Sequence, residues 1–167
     1  YRTGRTAGEA IAAAEHALRQ ADGDLAALIA SFSPDESEQA KIFSAHREIL
    51  EDDELQQAIF DNIREENMTA EYAVYTACGA FIELLKKAGD ETIALRAADV
   101  ADVRDRLVRA LRGQVRPSLS RLPGNCILVA HDLLPSDTAS LDRAHVLGIV
   151  TETGSDTSHT AILARSF

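Results

Sequence analysis

With 167 residues, the chain has room for one ordinary domain, or for one compact domain plus a piece of a second. A formal charge of −10 excludes a nucleic-acid surface, which needs clustered Lys and Arg, and suits a partner that presents a basic face. Hydrophobic residues make up 46% and aromatics 5%, with no Trp and one Met, so Ala and Leu carry much of the apolar fraction, which favours close-packed helices.

The first two thirds read as helix. Ile11, Ala14, Leu18, Ala21, Leu25, Leu28 and Phe32 recur at spacings of three and four and predict one apolar stripe. Pro34 closes that stretch and can open the next, which carries Ile42, Phe43, Ile49 and Leu50. The run Glu51-Asp52-Asp53-Glu54 precedes Leu55, Ile59 and Ile63. Acidic residues complement the free N–H groups of a helix start, so a break is expected near Glu51 to Asp53. Thr69 is a good N-cap for a long helix through Ala73, Ala77, Phe81 and Leu84, stopped by Gly89. A last helix places Val100, Val103, Leu107 and Leu111 inward and ends at Gly113. Together these predict an antiparallel bundle of four main helices, one of them broken.

The character changes at Pro117 to Pro123, where two prolines and Gly124 mark a connector. Cys126 to Ala130 is a short continuous apolar run, the pattern of a buried strand. A short helix over Pro135 to Leu141 and a second strand over Val146 to Val150 follow. The polar loop Thr151 to Thr157 then leads into Ser158 to Arg165, which has helical character. Strand, helix, strand, loop, helix is the order of an α/β unit. The expected division is therefore 1–116, helical, and 117–167, part of an α/β domain. Two strands do not make a stable sheet alone, and the chain starts and stops mid-pattern, so it reads as a fragment of something longer. Cys78 and Cys126 lie far apart in apolar surroundings, so both are expected to be buried thiols in a reducing compartment. With no membrane-length apolar run and no signal peptide, no membrane partner is expected.

The most informative stretch runs from Thr153 to Arg165. Ligands of open α/β sheets gather where a strand ends and a helix begins, and a helix start offers unpaired N–H groups to an anion. Gly154 lets the backbone approach closely, while Thr157 and Ser158 add hydroxyl donors. His159 would sit in the first turn. A neutral imidazole nitrogen is a good nucleophile toward phosphorus, and a reference pKa of about 6.5 leaves histidine mostly neutral in cells. On residues alone this is suggestive only, because a lone His at a helix start is more often structural or solvated. Metal binding is disfavoured, since no second His or Cys stands at ligand spacing. Neither His131 nor His145 forms a recognisable motif with it.

Gly154-Ser-Asp-Thr-Ser-His-Thr-Ala-Ile-Leu-Ala-Arg165 resembles the phosphohistidine signature of the phosphoenolpyruvate-utilising enzymes, usually GGxTSHxAIxAR. Ile49 to Leu55, Asn67 to Glu71, Arg96 to Val100, Ile127 to Ala130 and Leu134 to Thr138 extend the likeness over roughly residues 8 to 167. The whole resembles the N-terminal half of Enzyme I of the phosphoenolpyruvate-dependent sugar phosphotransferase system. That resemblance implies a mainly α fold with an α/β part: a helical bundle of the type that binds the carrier HPr, inserted in or followed by part of a phosphohistidine α/β domain.

It further implies a cytoplasmic transferase in which His159 takes a phosphoryl group from phosphoenolpyruvate on a separate C-terminal barrel and passes it to HPr. Thr138 would hydrogen-bond the imidazole, and Gly154, Thr157 and Ser158 would stabilise the phosphoryl group. HPr or an HPr-like protein would dock on Glu38, His46, Ile49, Leu50, Glu51, Asp52, Glu54 and Arg96, an acidic run around exposed aliphatic residues. No cofactor is expected in these residues. Mg²⁺ and phosphoenolpyruvate belong with the barrel, so exchange with phospho-HPr is the expected activity. The signature departs from its usual form at Ser155, which replaces a glycine, and at Asp156, where sugar-system members often carry a basic residue. The nitrogen-related system and the Enzyme I-like region of the dihydroxyacetone kinase phosphoryl carrier therefore stay open, as does a non-catalytic module that binds an HPr-like protein.

Overall fold

The structure, a computed structural model, describes residues 6–115, 119–153 and 161, with only the backbone of Glu91 and Ala94. The chain divides into two compact units, 1–116 and 117–167.

Among the described residues, the first unit is built of five α-helices. α1, Ala7–Ser31, starts on a capping box: Thr6 Oγ1 accepts from Glu9 N at 3.2 Å, and Glu9 Oε2 accepts from Thr6 N at 2.9 Å. A single 3₁₀ turn, Pro34–Glu36, leads into α2, Ser37–Leu50. The expected break falls between Leu50 and Asp53, where α3, Asp53–Arg64, begins with the Asp52 carboxylate accepting from Leu55 N at 2.9 Å. Gln56 reaches back from α3 and donates to the Leu50 carbonyl at 2.7 Å, satisfying an orphan acceptor of the α2 end. α4, Ala70–Lys87, is capped by Thr69, and α5, Glu91–Leu111, by Asp90. Gly89 and Gly113 follow these two helices with φ of +72° and +64°, left-handed values that glycine adopts without a Cβ clash.

α1 packs on each of the other four helices, α4 lies along α5, and α2 also meets α5. Leu25, Phe43, Leu55, Ile59, Ile63, Val74, Cys78, Val103 and Leu107 form the centre and are all buried. Each large aliphatic among them stabilises the fold by roughly 1.5–3 kcal/mol relative to exposure. Two expected core positions of α4 are corrected. Leu84 is 68% exposed and Phe81 half-buried, because past the expected Ala73 and Ala77 the buried face of α4 runs through Cys78 and Ile82. Tyr75 is also exposed, with its ring covered by the Arg104 guanidinium 4.6 Å from the centroid.

The second unit holds β1, Cys126–Ala130, the short helix α6, Pro135–Ala139, and β2, Val146–Thr151. The strands pair in parallel with Val129 opposite Val150, and the register slips at the start, where Cys126 faces Val146 and Ile127 faces Gly148. β1 is not the fully buried strand its apolar run implied. Ile127 and Val129 are 64% and 71% exposed, while Cys126, Leu128 and Ala130 are half-buried, so the two faces of the strand differ in exposure. Cys126 is correspondingly half-buried rather than buried.

Candidate functional site

Parallel strands send both C-terminal ends to one edge of a sheet, so the residues after β1 and β2 leave the sheet at the same edge. After β2, Glu152 N donates to the Ala130 carbonyl at 3.2 Å, and Thr153 donates to the His131 carbonyl through both its N–H and its hydroxyl, each at 3.0 Å. His131, the first residue after β1, places its ring Nδ1 2.7 Å from Glu152 Oε2. This pair was missed by the sequence reading, because its members are 21 residues apart and only the strand register brings them together.

From β1 the chain continues through Asp132, whose carboxylate accepts from Leu133 N, into α6, where the Asp137 carboxylate accepts from Leu134 N at 3.0 Å. Thr138 is buried on this helix, and its hydroxyl donates to the Pro135 carbonyl at 2.8 Å. With its proton given to that carbonyl, Oγ1 can meet a further polar group only as an acceptor. Gly154, Ser155, Asp156, Thr157, Ser158 and His159 lie outside the described residues.

The opposite edge is organised by Asp142. Its carboxylate accepts from Leu122 N at 3.2 Å and lies 2.9 Å from His145 Nδ1. The Leu122 N–H, and then His145, hold this carboxyl below its ordinary range.

In the first unit the expected docking residues separate into two groups. Glu38, Glu51, Asp52, Glu54 and Arg96 are exposed at the surface. Glu38 pairs with Lys41 at 2.6 Å and Arg96 with Glu48 at 3.7 Å. Glu51 lies 3.9 Å from Arg47, whose guanidinium makes a two-pronged contact with Asp22 at 2.6 and 3.1 Å. Asp22, more than Glu51, raises the Arg47 pKa. His46, Ile49 and Leu50 are buried, which corrects the expectation of exposed aliphatic residues within the acidic run. The α2 turn that presents the charges also turns these three inward. His46 is fully enclosed, edge-on to Phe43, with Nε2 3.1 Å from Asp99 on α5; among the described residues its Nδ1 has no hydrogen-bond partner. Asp99 and Glu48 were not anticipated. Asp99 had a faint signal, as a carboxylate beside the apolar positions Val100 and Val103.

Among the described residues no three His, Cys, Asp or Glu side chains gather as a metal site, and no helix is long and apolar enough to cross a membrane.

Residues 3–96 match the family described as PEP-utilising enzyme, N-terminal, and residues 122–167 match PEP-utilising enzyme, mobile domain. A phosphoenolpyruvate-protein phosphotransferase of Haemophilus influenzae is 41% identical over 129 residues, which is 77% of this chain and 22% of that protein. One of Bacillus subtilis is 37% identical over 152 residues, 91% of this chain and 24% of that protein. The chain thus spans less than a quarter of the length of these curated relatives. A solution structure of an Enzyme I protein superimposes with a TM-score of 0.76 at 33% identity, covering 96% of this chain and 65% of that one. The helical bundle, the small parallel sheet and the family match over more than half its length agree: the chain belongs to the PEP-utilising enzymes and carries their N-terminal region.

Proposed function

We propose that these residues are the phosphoryl-relay portion of a cytoplasmic phosphoenolpyruvate-protein phosphotransferase, with His159 as the carrier and an HPr-like protein as its partner. The observation that carries this reading is the match of residues 122–167 to the mobile domain, because that span contains His159 within its Thr-Ser-His signature. Thr138 supports it. As an acceptor toward the imidazole, its Oγ1 fixes the ring proton on the nitrogen facing it and leaves the other nitrogen bare for attack on phosphorus. Gly154, Thr157 and Ser158 supply the backbone approach and hydroxyl donors for the phosphoryl oxygens.

In the exchange step the bare nitrogen of His159 forms a bond to phosphorus as the N–P bond to the carrier's histidine breaks, and the carrier's imidazole leaves with the electron pair. The partner docks on the acidic face at the α2–α3 corner, where Glu48, Glu51, Asp52, Asp53 and Glu54 are exposed. His46, Ile49 and Leu50 act from beneath, holding the α2 turn that displays those charges. Phosphoenolpyruvate and Mg²⁺ are handled by a separate barrel domain of the longer relatives.

The test is intact mass at neutral to alkaline pH after mixing the chain with phospho-HPr, beside a His159→Ala control. One acid-labile phosphoryl group on the parent and none on the control is expected. Transfer to neither protein, with carrier binding retained, would leave a binding module in place of a relay.

A further inference from the structure

Two polar pairs join α2 to α5. Near the surface Arg96 lies 3.7 Å from Glu48, with side chains 58% and 70% exposed. Three residues further along α5, Asp99 meets His46 at 3.1 Å, and there the exposures fall to 24% and 0%. Residues three apart on a helix share a face, so Asp99 stands beside Arg96 on the side that α5 turns toward α2. The C-terminal end of α2 also opens the acidic corner on which the carrier docks in the reading above. Asp99 therefore continues that face across the seam, one layer deeper than its rim.

The two pairs differ electrically. Arg96 brings a positive charge to Glu48, as Arg47 does to Glu51 at 3.9 Å. His46 brings a hydrogen-bond donor and no charge. Its Nδ1 is enclosed without a hydrogen-bond partner among the described residues, so a proton there would be an unpaired buried donor. The ring proton belongs on Nε2, and Asp99 Oδ1 accepts it. A neutral donor fixes a carboxylate without cancelling its charge, so the two pairs together leave one negative charge, placed at Asp99. That is its one hydrogen bond among the described residues. The imidazole that makes it is held in turn, edge-on to the buried Phe43, which stacks on Phe32 with ring centroids 5.5 Å apart. A charge this far from bulk water is screened less than the exposed carboxylates of the corner.

We infer that Asp99 is the anchor for a Lys or Arg side chain of the docking carrier, and that His46 is the positioning residue that aims its carboxylate. This rests on the acidic face being the docking surface. It also gives a reason for a histidine at a position where an aliphatic side chain would pack without leaving a nitrogen unpaired.

The test is titration calorimetry of the whole chain with HPr, paired with thermal unfolding, for Asp99→Asn, His46→Met, His46→Gln and the double variant of the first two. Asp99→Asn keeps an oxygen for the Nε2–H, so it should melt with the parent while binding HPr roughly tenfold more weakly, more than an exposed rim charge gives. His46→Met fills similar space without a donor and should weaken binding about threefold, with nothing further lost when it is added to Asp99→Asn. His46→Gln restores an N–H and should return the parental affinity. Parental binding by Asp99→Asn while Asp52→Asn is weakened would overturn the inference and leave the docking face standing. Parental binding by both would overturn the docking face and the inference with it. A His46→Met loss that adds in full to that of Asp99→Asn, or that His46→Gln does not repair, would overturn the positioning role.

Discussion

Asp52 carries two roles that a pair of substitutions can separate. Its carboxylate caps α3 through Leu55 N at 2.9 Å, and its negative charge belongs to the proposed docking face. Asp52→Ala removes both. Losing an N-cap acceptor costs about 1 kcal/mol. The site is exposed, so water can reach the freed N–H and no buried-donor penalty is added. For a helical unit of this size that corresponds to a melting temperature lower by about 4 °C. Asp52→Asn keeps an oxygen that accepts the same N–H and removes only the charge. It should melt with the parent while weakening affinity for the carrier about two- to fivefold. Thermal unfolding followed by far-ultraviolet circular dichroism gives the first quantity, and titration calorimetry with the carrier gives the second. An Asn variant as unstable as the Ala variant would refute the capping argument, and Asn binding with parental affinity would remove Asp52 from the docking face.

Two further outcomes follow from the ionisation of particular groups. Burial pushes the Cys78 thiol up to about 12, so at pH 8 only about one molecule in ten thousand holds the thiolate that alkylates. Iodoacetamide should therefore modify the half-buried Cys126 in the native chain and reach Cys78 only on unfolding; peptide mapping that shows equal labelling of both would contradict the enclosed core. Asp142 is held below its ordinary range, so its contribution to the second unit is present above the unfolded carboxyl value and lost as pH falls through the folded one, below about pH 4. Asp142→Asn should flatten the acid dependence of amide exchange in β1, and an unchanged slope would show that this carboxylate does not set it.

Much of the bundle was legible because helical period and capping chemistry are local. The Glu51 to Glu54 run announced the α2–α3 break, and Thr69 announced α4. What a period cannot tell is which of two neighbouring stripes meets the rest of the protein. In α4 the expected Ala73 and Ala77 are buried, but the buried face continues through Cys78 and Ile82 and leaves Phe81 half-buried and Leu84 exposed. The sequence likewise read Ile49 and Leu50 as display residues, when the same α2 turn sends them into the core. His46 was expected on the docking face for a clearer reason: its partner Asp99 lies 53 residues away on another helix. At the candidate site the signature loop and Thr138 were readable as a motif, whereas the His131–Glu152 pair exists only once the strands are in register.

The packing of α1 on α5 also fixes an order of events during synthesis. α1 is complete at Ser31, but α5, the last helix that packs on it, ends at Leu111, 80 residues later. At about 5–20 residues per second the stripe waits about 4–16 s for its last partner. During that interval it exposes mainly Ala10, Ala14, Ala17 and Ala21, with Leu18 and Leu25 as its large buried side chains. An alanine-rich stripe offers little adhesive surface to other nascent chains, so α1, made before the helices that cover it, can afford to stay exposed.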